Sequence, residues 1–171
     1  MQNHFELFHL PAQFVVDAAA LDAAYRELQG RVHPDRFVNA SEADKRAAMQ
    51  WATQANEAYQ TLKNPLKRAA YLCGLNGVEL QTENNAAMAP AFLMQQMEWR
   101  ESLQEARAAK DLAALESLEE TLRKARRAQL RQIEAKLEAN DFAHAAEGIR
   151  QAMFLEKFAE ELAAAFDAVG N

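Results

Sequence analysis

Tyr25-Arg26-Glu27-Leu28-Gln29-Gly30-Arg31-Val32-His33-Pro34-Asp35 is the stretch on which the reading of this chain turns. Leu21, Tyr25, Leu28 and Val32 recur at i, i+4, i+7 and i+11, the spacing of one buried helix face, and Asp17 is placed to cap that helix. Pro34 ends it, because proline excludes the helical conformation for the residue before it. Beyond the proline, Ser41 with Asp44 three residues later resembles a capping box and opens a second long helix to about Lys63. Its core face carries Ala48, Trp51 or Ala52, Ala55, Tyr59 and Leu62. Upstream lies a short apolar segment, Phe5-Glu6-Leu7-Phe8, stopped near Pro11. Downstream, Asn64-Pro65 breaks the long helix and starts a short one, and Gly74 and Gly77 are expected to close the unit.

Composition agrees with an all-α protein. Only 5 Gly and 4 Pro interrupt the 171 residues, half of which are hydrophobic. Ala, Leu, Glu, Gln and Arg dominate, and these residues lose little side-chain freedom in helices. The length suits one medium or two small domains and buries a core without disulfides or metal. The single cysteine, Cys73, lies in an apolar run and reads as an inert buried thiol. No apolar stretch approaches the length of a membrane span, and the N-terminus lacks the pattern of a signal peptide, so a cytoplasmic protein with no membrane partner is expected.

Residues 78–89 are polar and aperiodic, with Asn84-Asn85, and form the expected linker between a first domain, 1–77, and a second, 90–171. Three helices follow, over about 90–109, 111–139 and 142–168. Tight breaks at Lys110-Asp111 and Asn140-Asp141 make neighbours antiparallel, which is a three-helix bundle. The middle helix has Leu112, Leu115, Leu118, Leu122, Leu130, Ile133 and Leu137 in one stripe. In the last, Phe142, Ala146, Ile149 and Met153 hold one face while Leu155, Phe158, Leu162 and Phe166 hold another, so the stripe changes phase near residues 153–155. Phe154 fits neither stripe well and could join an exposed patch; a kink or an all-round core explains it almost as well.

The helix after Pro90 carries more apolar surface than a bundle needs. Phe92, Gln96, Trp99, Leu103 and Ala106 form one core stripe. Leu93, Met94 and Met97 lie on another side, shared with Glu98, Glu101 and Glu105. An apolar strip rimmed by carboxylates is what a protein-binding surface looks like; the alternative is a helix buried on two sides.

Catalysis finds little support. His33 and Asp35 could in principle be an acid–base pair, but no nucleophile, metal set or glycine-rich phosphate loop accompanies them, so no enzyme and no cofactor are expected. His4, His9 and His144 stand without ligand-spaced Cys, Asp or Glu, and no metal site is expected. Arg123, Lys124, Arg126, Arg127 and Arg131 could touch nucleic acid, but with Glu116, Glu119 and Glu120 beside them they read as a solvated face, and the net charge of −6 also disfavours a nucleic-acid partner.

By composition alone, a given tripeptide such as His33-Pro34-Asp35 turns up in such a chain roughly one time in a hundred. Context makes it specific. With Tyr25-Arg26-Glu27-Leu28 before it, and Asn56-Glu57-Ala58-Tyr59-Gln60-Thr61-Leu62 and Asn64-Pro65-Leu66-Lys67-Arg68-Ala69-Ala70-Tyr71 after it, the segment over about 3–75 resembles a J-domain. The resemblance implies that His33, Pro34 and Asp35 dock on a DnaK-type ATPase and stimulate its hydrolysis of ATP, with Arg26, Arg31 and Arg36 as a cationic patch that steers encounter. The usual basic run is thinned here by Gln29-Gly30, which suits a dedicated partner rather than a general one.

Taken whole, a J-domain, a hinge and then Ala91-Phe92-Leu93-Met94-Gln95-Gln96-Met97-Glu98 resemble the HscB family, J-type co-chaperones of iron–sulfur cluster biogenesis. The resemblance implies a mostly rigid, L-shaped all-α body whose C-terminal bundle binds the scaffold protein IscU and whose J-domain recruits HscA, a specialised DnaK-type ATPase. The family's scaffold-binding positions match Leu93, Met94, Met97, Glu98, Glu101, Glu105 and Phe154; Met97 stands where leucine is common, a volume-conserving change. Some eukaryotic relatives carry an N-terminal zinc module with paired cysteines, and its lack here points to a bacterial-type protein. A general J-protein that holds unfolded clients is the competing expectation.

Overall fold

The computed structural model of the chain describes residues 2–80 and 88–170; among them every regular element is helical. The chain divides into two compact units, Met1–Leu75 and Asn76–Asn171. Most of the segment expected as a linker, residues 81–87 with Asn84-Asn85, lies outside the described residues.

In the first unit, α1 (His4–Leu7) is closed by a reciprocal box: the Asn3 side chain accepts from Glu6 N–H while the Glu6 carboxylate accepts from Asn3 N–H. Asp17 caps α2 (Ala18–Val32) by accepting from Ala19 and Ala20. A 3₁₀ turn, Pro34–Phe37, leads to α3 (Glu42–Lys63). Ser41 Oγ accepts from Asp44 N–H at 3.1 Å, the forward half of the expected box, since aspartate is one methylene shorter than the usual glutamate. Asn64 Oδ1 then accepts from Leu66 and Lys67 to start α4 (Pro65–Leu75). Gly74 lies inside α4 and does not close it; Gly77, at φ 81°, takes the left-handed conformation that turns the chain away.

The α2–α3 hairpin is held by a layered set of rings. Tyr25 stacks flat on Tyr59, centroids 4.1 Å apart, and Phe8 meets Tyr25 edge-on. The Tyr59 hydroxyl donates to Asp22 Oδ1 at 2.6 Å and accepts from Lys63 Nζ at 2.8 Å, so the polar rim of the stack is satisfied. Between Trp51 and Ala52, it is Ala52 that turns inward, while Trp51 is exposed. Small residues Ala48, Ala55 and Ala58 line the α3 face, which lets the neighbouring helices approach closely. Arg68 fastens the loop before α2: its guanidinium donates to Phe14 O and Leu62 O, both at 2.6 Å, and lies 4.8 Å from the Phe14 ring centroid. Cys73 is fully buried, and burial pushes its thiol pKa up.

The second unit is a bundle of α5 (Pro90–Ala109), α6 (Leu112–Glu138) and α7 (Phe142–Gly170), each packed on the other two. Lys110 and Asn140 adopt left-handed backbone at the two reversals, and Asp111 caps α6 through Ala114 N–H. Trp99, Leu103, Ala106, Leu115, Leu122, Leu155, Phe158 and Leu162 form its central core. Leu112, expected in the α6 stripe, is exposed: it occupies the first helical position, at the very end of the bundle.

The expected change of face on α7 has a structural cause. Buried positions step by three through Ile149, Ala152, Leu155 and Phe158, so the buried line winds around the helix instead of staying on one side. The N-terminal part of α7 packs on α6, where Gln129 donates to Gly148 O at 2.8 Å and a Cβ on Gly148 would lie 3.0 Å from Ile133. From Phe154 onward α7 also meets α5, through Phe92–Phe154, Trp99–Phe158 and Arg100–Glu161. Because α5 is 20 residues long against 29 in α7, only part of α7 has two neighbours, and its apolar face rotates to serve both.

Candidate functional site

Two surfaces stand out, one on each unit. On the first, His33 closes α2 with extended backbone, φ −60° and ψ 136°, as Pro34 requires of the residue before it. Its Nδ1 accepts from Asp35 N–H at 3.2 Å, so the neutral ring carries its hydrogen on Nε2. The Asp35 carboxylate lies 3.6 Å from Nδ1, too far for a hydrogen bond. Both side chains are exposed, leaving an imidazole Nε2–H and a carboxylate presented side by side on a turn whose entry proline has fixed.

The loop rims an open groove of about 700 Å³ between α2 and α3, lined by Tyr25, Arg26, Gln29, His33, Arg36 and Asn56 among others. Its floor is fastened by a chain of hydrogen bonds: Gln29 Nε2 donates to the Tyr25 hydroxyl at 2.9 Å, which donates to Asn56 Oδ1 at 3.2 Å. Gln29, an interruption of the basic run in sequence terms, thus joins a hydrogen-bond chain that its spacing did not reveal. Arg26 and Arg36 are exposed and have no ion-pair partner among the described residues. Arg31 is the third member of the expected cationic patch. It pairs with Glu27 one turn back at 2.6 Å, an exposed bridge that trims the positive field.

On the second unit, the two sides of α5 separate as its periodicity requires. Gln96, Trp99, Leu103 and Ala106 are buried and Phe92 is half-buried. On the opposite side Leu93, Met94 and Met97 are 39%, 63% and 64% exposed, and Glu98, Glu101 and Glu105 are exposed with them. No ion pair holds these three carboxylates among the described residues, whereas Arg100, on the flank, is taken by Glu161 of α7 at 3.7 Å. Phe154 is half-buried: its ring meets Phe92 edge to face, centroids 6.3 Å apart. It therefore belongs to the α5–α7 seam and offers its remaining surface beside Leu93's neighbour, Phe92. Met153, next to it, is exposed.

The other candidate groups do not converge. His144 is not alone: its Nδ1 lies 2.7 Å from Asp141 Oδ2 at the start of α7, and this contact holds the Asp141 carboxyl below its usual pKa. No group of three or more His, Cys, Asp or Glu is placed to hold a metal among the described residues. On α6, Arg123 pairs with Glu119 and Glu120 and Arg126 makes a two-pronged bridge to Glu156, both at 2.8 Å, as a solvated mixed-charge face does. No helix among the described residues is long and apolar enough to cross a membrane.

Comparison with known proteins places both units in one lineage. Residues 3–71 match the family described as "DnaJ domain", and residues 88–163 match "HSCB C-terminal oligomerisation domain". A co-chaperone protein HscB homolog of Burkholderia multivorans is 58% identical over 162 residues, covering 95% of this chain and 93% of that protein. Among solved structures, chaperone HscB from Vibrio cholerae superposes with a TM-score of 0.88 at 41% identity, covering 98% of this chain and 99% of that one. Human co-chaperone protein HscB gives 0.89 at 30% identity, covering 96% and 82%. With a J-domain turn on one unit, the matching helical bundle on the other and relatives along nearly its whole length, the chain belongs to the HscB family of co-chaperones.

Proposed function

We propose that this protein is an adaptor that binds the iron–sulfur scaffold protein IscU on its C-terminal bundle and delivers it to the DnaK-type ATPase HscA, whose hydrolysis of ATP its J-domain stimulates. The observation that carries the reading is the α5 surface. Three large apolar side chains, Leu93, Met94 and Met97, stand in solvent with three carboxylates, Glu98, Glu101 and Glu105, that form no ion pair among the described residues, on the same side of the helix. Exposed apolar area of that kind stabilises nothing in the bundle, and its burial against a folded partner is favourable. The carboxylates set which partner fits, since a like-charged surface would be repelled and an unpaired buried charge is costly.

At the other surface, His33 Nε2–H and the Asp35 carboxylate form a donor–acceptor couple for a complementary pair on the ATPase, and Arg26 and Arg36 favour an acidic approach surface on it. No step of ATP chemistry falls to this chain; its contribution is to hold client and chaperone together, which raises their effective concentration. Calorimetric titration against apo-IscU from the same genome tests the client half. Saturable binding near one to one is expected. No detectable binding at high concentration, with J-domain activity intact, would instead favour a general co-chaperone of unfolded clients.

A further inference from the structure

Methionine is distributed unevenly in this fold. Met88 is 8% exposed, whereas Met94 and Met97, three residues apart on α5, are both nearly two-thirds exposed and sit within the apolar strip assigned above to the scaffold. Leucine would give that strip the same volume without a reactive atom. A thioether in solvent is open to two-electron oxidation; one in a core is not. We infer that Met94 and Met97 are a peroxide-sensitive modification site, and that their oxidation to the sulfoxide releases the client from the bundle. This rests on the scaffold-binding reading of the α5 surface.

The step is a single oxygen transfer. A lone pair of the methionine sulfur attacks one oxygen of hydrogen peroxide, the O–O bond breaks, an S–O bond forms, and the departing hydroxide takes the remaining proton to leave as water. Sulfur is oxidised by two electrons and peroxide is reduced. The product replaces an apolar group with a strong S=O dipole that accepts hydrogen bonds. In the free protein that dipole is solvated at no cost, because both side chains already stand in water. In the complex it must be desolvated where the strip packs against apolar surface of the partner. The fold is therefore untouched while the interface is penalised twice, at positions one turn apart. Reversal requires a sulfoxide reductase and a thiol reductant, one enzyme for each sulfoxide epimer.

The test uses the full-length protein, hydrogen peroxide and apo-IscU. Peptide mass mapping over a time course reads oxidation at each methionine, and titration before and after treatment reads binding. Met94 and Met97 are expected to gain one oxygen each at a rate similar to that of exposed Met49, and well ahead of Met88. Affinity is expected to fall roughly tenfold or more, with the melting temperature unchanged, and to return after reductase treatment. In Met94→Leu/Met97→Leu the ratio of affinities before and after peroxide, each protein compared with itself, is expected to stay near one although Met49 and Met153 still oxidise. Oxidation of Met94 and Met97 no faster than that of Met88 overturns the inference, with no reference to the scaffold. So does undiminished binding by the doubly oxidised protein, or an equal loss in the double variant. If the untreated protein fails to bind IscU, the scaffold reading itself falls and takes this inference with it.

Discussion

The ring of Phe154 on α7 meets that of Phe92 on α5 edge to face, centroids 6.3 Å apart and planes 78° from parallel. This contact lies where α7 first gains a second neighbour, and it joins the buried seam to the exposed strip that begins at Leu93. An interface built on it has a fixed anchor as well as adaptable methionines.

Truncating the anchor separates binding from folding. Leu93→Ala with Phe154→Ala is expected to weaken IscU binding by about 2 kcal/mol or more, roughly thirtyfold, as loss of buried apolar anchors does. The bundle itself is expected to lose about 3 kcal/mol, most of it from Phe154, whose ring packs on Phe92, and to remain folded at the temperature of the titration. Titration and thermal melting of the same preparation check this; unchanged affinity would remove the strip from the interface.

The loop is expected to separate the two activities in the other direction. His33→Gln removes the imidazole whose Nδ1 receives Asp35 N–H and whose Nε2–H faces outward. Stimulation of HscA is expected to fall to the basal rate while IscU binding persists. Loss of both would indicate a misfolded protein rather than a docking defect.

Much of this was legible in residue spacing. Asp17 and Ser41 each cap the helix they were expected to cap, and Gln96, Trp99, Leu103 and Ala106 are buried on α5 while Met94 and Met97 are not. What spacing could not resolve depends on neighbours distant in sequence. Trp51 and Ala52 are equally plausible by periodicity, and only the close approach to α3 selects the smaller one. Gln29 reads as a gap until the Tyr25–Asn56 bridge is seen beneath it. Phe154 fitted no stripe because α7 serves two partners of unequal length.

Arg68 is expected to be the most costly single polar truncation in the first unit. Arg68→Ala removes two short bonds to Phe14 O and Leu62 O and leaves part-buried carbonyls with fewer donors. The expected loss is about 2 kcal/mol. Urea unfolding followed by Trp51 fluorescence in a Trp99→Phe background reports this unit alone; a loss below about 0.5 kcal/mol would mean water replaces the guanidinium readily.

His4 gives the first unit a pH dependence near neutrality. It stacks on Tyr71 at 4.3 Å, and burial lowers its pKa below the ordinary 6.5, against a smaller opposing pull from Glu57. The folded state therefore prefers the neutral ring, and the unfolded chain binds the proton more readily. Stability is fully present above pH 6.5 and declines as pH falls from there through the lowered folded value. Melting between pH 7.5 and 5 is expected to show this decline, and His4→Phe, which keeps an aromatic ring over Tyr71, is expected to flatten it. An unchanged slope in the variant would assign the dependence to other groups.

The adaptor reading is tested most directly by steady-state ATP hydrolysis of HscA with this protein alone, with IscU alone and with both. Two sites on one chain, each engaging its own partner, are expected to raise the rate together by clearly more than the sum of the separate effects. A purely additive rate, at concentrations where both partners bind, would contradict delivery and leave two unconnected binding surfaces.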